Sequence, residues 1–179
     1  MLERESTALL LVDIQGKLAQ LMQDKASLFG NLQKLVKGIR VLEIPILWVE
    51  QNPAGLGPTI PEVADLLPDL QPIAKMSFSA CGEPRFVAAL EKTNRRQVLI
   101  AGIETHICVY QTAVELLAMG YGVHVVADAV SSRSAVNKAI GIEKMNAAGA
   151  VLTSVETALF ELLRVAQGDA FKAIAGIVK

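Results

Sequence analysis

Site-building residues are scarce in this chain. Of its 179 residues only two are cysteine, Cys81 and Cys108, and only two are histidine, His106 and His124. No C-x-x-C pair and no H-E-x-x-H pair occurs, which excludes the common zinc frameworks and leaves two thiols that a reducing compartment keeps unpaired. Long apolar runs are missing as well. Ala8 to Val12 and Val98 to Ala101 are far shorter than the ~20 residues that cross a bilayer, so no membrane span is expected. The opening Met1-Leu2-Glu3-Arg4-Glu5 carries acids where a signal peptide carries only cations, and the expected location is the cytoplasm. Charge of one sign is also lacking. Net charge is −1, and Lys and Arg are scattered instead of gathered into a basic stripe, so no nucleic-acid partner is expected.

What the chain does have is aliphatic bulk: 52% of its residues are hydrophobic and only 4% aromatic. That composition suits strands covered on both faces, or apolar surface buried between subunits, and it predicts a homo-oligomer. Strand-like runs at Thr7 to Asp13, Pro45 to Glu50, Pro72 to Lys75, Val98 to Ala101, Val123 to Ala127 and Val151 to Leu152 alternate with helical stretches. The helices are read at Ser27 to Leu42, Glu83 to Thr93, Thr105 to Met119, Ser134 to Ala148 and Ser154 to Val165. Such alternation predicts an α/β fold: a three-layer, doubly wound, mostly parallel six-stranded sheet with helices on both faces, forming one domain over residues 1–179. Gly120 and Gly149 stand where helix C-caps are expected. The segment Gln51 to Pro61, with three prolines and two glycines, reads equally well as an active-site loop or a stiff connection.

In an open parallel sheet, ligands bind beyond the carboxyl ends of the strands. Asp13 ends the first strand, Lys75 ends the third, and Cys108 follows the fourth by one helical turn. An acid, a cation and a thiol on one rim form a nucleophilic site. Each also has a plainer reading. Asp13 can cap a helix, Lys75 can be solvated, and Cys108 can be a small buried hydrophobe. A free thiol has a pKa of about 8.5. A helix N-terminus, worth about 0.3–2 kcal/mol to an anion, together with an ammonium would lower it, so a thiol well below that value is expected.

Three segments in order, Ala8-Leu9-Leu10-Leu11-Val12-Asp13-Ile14-Gln15, Lys75-Met76-Ser77-Phe78-Ser79-Ala80 and Gly102-Ile103-Glu104-Thr105-His106-Ile107-Cys108-Val109, resemble the signature segments of the isochorismatase-like cysteine hydrolases, and Val126-Ala127-Asp128-Ala129-Val130-Ser131-Ser132-Arg133 looks like that family's next strand and turn. The resemblance implies a Rossmann-like isochorismatase fold. It matches Asp13, Lys75 and Cys108 to the family's catalytic triad. Cys108 would attack a carbonyl carbon to give an acyl-thioester, Asp13 would carry protons, and Lys75 would orient both. A non-proline cis peptide is implied at Ile103-Glu104, with the N–H groups of Glu104 and Cys108 as oxyanion hole.

Departures from the family pattern narrow the reading. Metal-dependent nicotinamidases of the superfamily use an aspartate and histidines after the second strand, where this chain has Trp48-Val49-Glu50-Gln51-Asn52-Pro53. No catalytic metal and no cofactor are therefore expected, and nicotinamidase activity is disfavoured. True isochorismatases lack the cysteine and cleave a vinyl ether, so Cys108 argues for a small amide or related carbonyl substrate. The alternatives are a non-catalytic small-molecule-binding or thiol-sensing protein and a vinyl ether hydrolase. Gln15, Trp48, Glu50, Phe78 and Thr105 are candidates for the substrate pocket, with Trp48 and Phe78 equally readable as core. Glu104 either lines the pocket or faces another subunit. His106, beside the thiol on a helix, should point away from it. His124 reads as a satisfied core residue and Cys81 as packing.

Overall fold

The computed structural model describes residues 1–179. Six parallel strands run through it: β1 (Thr7–Val12), β2 (Ile46–Gln51), β3 (Ile73–Lys75), β4 (Gln97–Ile103), β5 (Gly122–Ser131) and β6 (Val151–Thr153), in the order β3-β2-β1-β4-β5-β6. The order reverses beside β1, and its neighbours β2 and β4 leave in opposite directions. That crevice is where a doubly wound sheet places its ligand.

Every residue of β1 is buried, because both faces of the sheet are covered. Side chains alternate, so Leu9 and Leu11 enter one apolar layer and Ala8, Leu10 and Val12 the other. The first layer is closed by α2 (Lys25–Val41), which brings Leu28, Leu32, Leu35 and Ile39, by α8 (Val155–Leu163), which brings Leu159 and Leu162, and by α9 (Gly168–Val178), which brings Ile174. The second is closed by α5 (Pro84–Lys92) with Phe86 and Leu90, α6 (Tyr110–Ala118) with Ala113 and Leu116, and α7 (Ala135–Ala147) with Met145. Local chemistry starts the helices. Pro84 opens α5 behind Glu83, whose carboxylate accepts from Arg85 N, and Ser154 caps α8 by accepting from Thr157 N at 3.1 Å. No helix is long and apolar enough to cross a membrane.

Several expectations shift. The segment after β2 is not irregular throughout, since two one-turn helices, α3 (Pro53–Leu56) and α4 (Pro61–Ala64), each begin on a proline. A further short helix, α1 (Gly16–Gln20), follows β1, and α9 lies beyond the last helix expected. The stretch after β4 opens as a π-helical turn over Thr105–Val109 before α6 begins. Strand β5 extends four residues past its predicted end because it bulges. Ile100 pairs with Val125 but Gly102 pairs with Val130, so the strand resumes after the bulge and delivers Ser131 and its successors to the rim.

Candidate active site

Three strand ends and one turn build the site. Asp13 follows β1 in a left-handed conformation, φ 52°, which aspartate tolerates better than most residues. Its carboxylate is 2% exposed. Lys75, the last residue of β3, reaches over the end of β2 to meet it. The Lys75 ammonium donates to Asp13 Oδ2 at 2.7 Å, Gln51 Oε1 at 2.9 Å, Phe78 O at 3.0 Å and Ser77 O at 3.1 Å. A buried ammonium is costly unless it meets oxygens on all sides, and here one anion and three neutral acceptors surround it. The solvated reading of Lys75 and the capping reading of Asp13 both give way to this pair.

Cys108 sits in the π turn after β4, the strand beside β1, and is buried. It opens with Asp13 on a cavity of about 240 Å³. Leu18, Leu56, Phe78, Ile103 and Ile107 form the apolar walls, and Gln51, Glu104 and Arg133 supply the remaining polar ones. Two wider grooves, about 340 and 310 Å³, lie at the amino ends of the strands, and neither is lined by a thiol.

The electrostatics correct one expectation. The Cys108 thiol is not lowered but pushed up to about 12, first by burial and then by the Asp13 carboxylate, which together outweigh Lys75. Burial also raises Asp13, against the pull of Lys75. The ammonium is spent on four oxygens and stabilises the carboxylate more than the sulfur. The thiol therefore rests protonated beside a base. Asp13 feels Cys108 as a hydrogen-bonding neighbour, yet Asp13 Oδ1 is buried with no donor aligned on it.

The Ile103–Glu104 peptide is cis, as the resemblance implied. Glu104 faces the pocket. Its Oε1 accepts from Arg133 Nε and its Oε2 from Arg133 N, both at 3.0 Å. His106 turns away from the thiol to Ser132 Oγ, 2.9 Å from its Nδ1.

Of the five residues expected to line the pocket, Phe78 does so and four do not. Gln15 is a clamp: its Nε2 donates to Gln51 O and Gly57 O, and its Oε1 accepts from Gln51 N. Trp48 Nε1 donates to Thr59 Oγ1 at 2.7 Å, and Glu50 Oε1 accepts from Thr59 N and Thr59 Oγ1, each at 2.7 Å. Trp48 and Glu50 are two residues apart on a strand and share a face, which holds the loop instead of the cavity. Thr105 is fully buried, its hydroxyl without a partner. His124 is buried as expected but not satisfied, since its Nδ1 has no partner, and burial lowers its pKa. Cys81 is half-buried, and burial pushes its thiol up to about 11.

Gln51 and Arg133 were given no role from sequence. Gln51, which ends β2, follows from applying the strand-end rule to every strand, whereas Arg133 lies just past β5, beyond a bulge that hides the end of that strand in the sequence.

An all-parallel sheet of this order, with an acid, a lysine and a thiol on its rim, is an isochorismatase-type hydrolase fold. The chain belongs to the isochorismatase family, matching the isochorismatase domain over residues 7–157. It is 37% identical over 180 residues to isochorismatase domain-containing protein 2A of Mus musculus, across 98% of this chain and 84% of that one. Among solved structures, the MAR1 ribonuclease from Caenorhabditis elegans superposes with a TM-score of 0.92 at 35% identity, covering 99% of this chain and 91% of that one. YcaC from Pseudomonas aeruginosa, solved with hexane-2,5-diol and covalent acrylamide, gives 0.92 at 30% identity, covering 98% and 90%. YcaC from Escherichia coli, described as an octameric hydrolase of unknown specificity, gives 0.93 at 28% identity, covering 98% and 88%.

Proposed function

We propose that this chain is a metal-independent cysteine hydrolase that cleaves a small amide or related carbonyl compound through an acyl-thioester on Cys108. The observation that carries this reading is the division of labour at Asp13: Lys75 holds Oδ2, while Oδ1 is buried without a hydrogen-bond donor, on a carboxylate that lines the same cavity as Cys108. A thiol that rests protonated beside a fixed carboxylate is activated at the moment of attack. Asp13 takes the proton as sulfur bonds to the carbonyl carbon, and the N–H groups of Glu104 and Cys108 receive the oxyanion. The protonated Asp13 then gives its proton to the leaving nitrogen as the C–N bond breaks. Water enters, Asp13 takes a proton from it, the thioester is cleaved, and the proton returns to sulfur. Lys75 keeps the carboxylate aimed throughout.

A reading without metal is supported by the chemistry around β2. Glu50 is engaged by Thr59, and no three His, Cys, Asp or Glu side chains gather as a ligand set. Association with further copies is supported by the octameric E. coli YcaC and by Met76 and Phe78, which are 73% and 56% exposed beside the site.

The test is ammonia release from a panel of small amides by wild type and Cys108→Ala. Release that vanishes in the variant supports the hydrolase, and release that survives overturns it. No release from any amide, with reversible oxidation of Cys108, would favour the thiol sensor. Because one structural relative is a ribonuclease, an RNA substrate belongs in the panel. A net charge of −1 and an Arg133 already engaged by Glu104 speak against that substrate.

A further inference from the structure

Charge in the cavity is cancelled in pairs. Asp13 is matched by Lys75 at 2.7 Å, and Glu104 by Arg133 at 3.0 Å. Glu104 is 5% exposed and leaves the wall only one way to balance it, through Arg133 Nε and N. His106, the other group near this carboxylate, has its Nδ1 4.0 Å from Glu104 Oε2 and is engaged with Ser132. The two Nη atoms of Arg133 donate to nothing in the protein; its side chain is 57% exposed while lining the same cavity as Cys108. Free N–H donors without free charge, set among Leu18, Leu56 and Phe78, are complementary to a specific kind of molecule.

We infer that the Glu104–Arg133 pair makes this a pocket for uncharged substrates, with Arg133 Nη donating to a neutral acceptor remote from the scissile bond, and that it turns away amides carrying a carboxylate. This rests on the proposed chemistry of Cys108 and names the substrate class for it. A carboxylate entering here would be the third anion against two cations already engaged. It would lose its water to meet N–H donors whose charge Glu104 already offsets. A carbonyl, hydroxyl or second amide loses far less water and takes the same N–H groups. Glu104 is thus a specificity residue acting through Arg133.

Two alkylating reagents of nearly equal size test this without knowledge of the substrate: iodoacetamide, which is neutral, and iodoacetate, which is an anion. In each the sulfur displaces iodide and gives up its proton. Rates at Cys108, read by mass spectrometry, are taken as a ratio of iodoacetamide to iodoacetate and divided by the same ratio for glutathione. The normalised ratio should be about tenfold or more above one in wild type, the scale of one charge-assisted contact. Glu104→Gln frees the guanidinium charge and should lower the ratio severalfold. Arg133→Gln leaves Glu104 unpaired and should raise it. Opposite movements in two folded variants, checked by thermal melts, are not produced by a general loss of packing. A wild-type ratio within about twofold of the glutathione value, or both variants moving it the same way, overturns the inference while leaving the hydrolase reading intact. No reaction of Cys108 with either reagent, together with ammonia release that survives Cys108→Ala, overturns both.

Discussion

Lys75 and Asp13 meet at 2.7 Å across the end of β2, their side chains 0% and 2% exposed. Breaking such a pair strands a buried charge, which costs about 3–5 kcal/mol, whereas removing both charges costs much less. Lys75→Met and Asp13→Asn should therefore each lower stability by roughly that amount in urea titrations. The Asp13→Asn/Lys75→Met double variant should be more stable than the sum of the two losses predicts. Strictly additive losses would mean that the pair is not coupled.

The thiol of Cys108 gives the protein a signature at high pH. Folding pushes its pKa up to about 12, far above the free-thiol value of about 8.5, so the native state holds this proton more tightly than the unfolded chain does. The stabilisation is complete below about pH 9 and is lost as pH climbs toward 12. Between about pH 8 and pH 10.5 the melting temperature of wild type should fall further than that of Cys108→Ala.

Gln15 holds three hydrogen bonds that join β1, the end of β2 and the loop carrying Leu56. Gln15→Ala should cost about 1–3 kcal/mol of stability, because buried groups lose partners. Phe78 is exposed on the pocket wall, so Phe78→Ala should leave stability nearly unchanged and raise KM for hydrolysis. Equal melting temperatures for Gln15→Ala and wild type would contradict the clamp.

Glu50 is a structural acceptor. Glu50→Gln keeps an oxygen for Thr59 N and should retain stability and activity, whereas Glu50→Ala should cost about 1–3 kcal/mol. Chelators should leave hydrolysis unchanged, and loss of activity on dialysis against EDTA, restored by a divalent ion, would refute the metal-free mechanism.

The alternation of strand and helix, and with it the sheet and its rim, was legible because buried parallel strands must be aliphatic runs such as Ala8 to Val12. Asp13 and Lys75 were legible because each is polar directly after such a run, and Cys108 because it follows one by a helical turn. Trp48 and Glu50 misled because their position along β2 is right for the rim while their face is wrong. The neighbouring Gln51 has the opposite parity and reaches Lys75. Arg133 was hidden by the bulge in β5, which no hydrophobic period reveals. The fate of the Cys108 proton depends first on how far the thiol is buried and then on the balance of Asp13 against Lys75, quantities that spacing does not carry. Helix α9 begins on Gly168 without a side-chain cap, and only Asp169 in its first turn announces it.

Gly141 of α7 has no room for even a methyl group: a Cβ there would lie 2.8 Å from His106 N and from the Thr105 carbonyl. The turn that carries Cys108 thus rests backbone to backbone on a helix behind it, away from Leu18, Leu56 and Phe78, which come from other segments. Those three walls are separate from the brace, whereas Ile103 and Ile107 belong to the strand and turn that carry the thiol. Substrate preference is therefore free to drift by replacing those three side chains while the sulfur stays where the chemistry needs it, and a family built this way can diversify its targets on one unchanged frame.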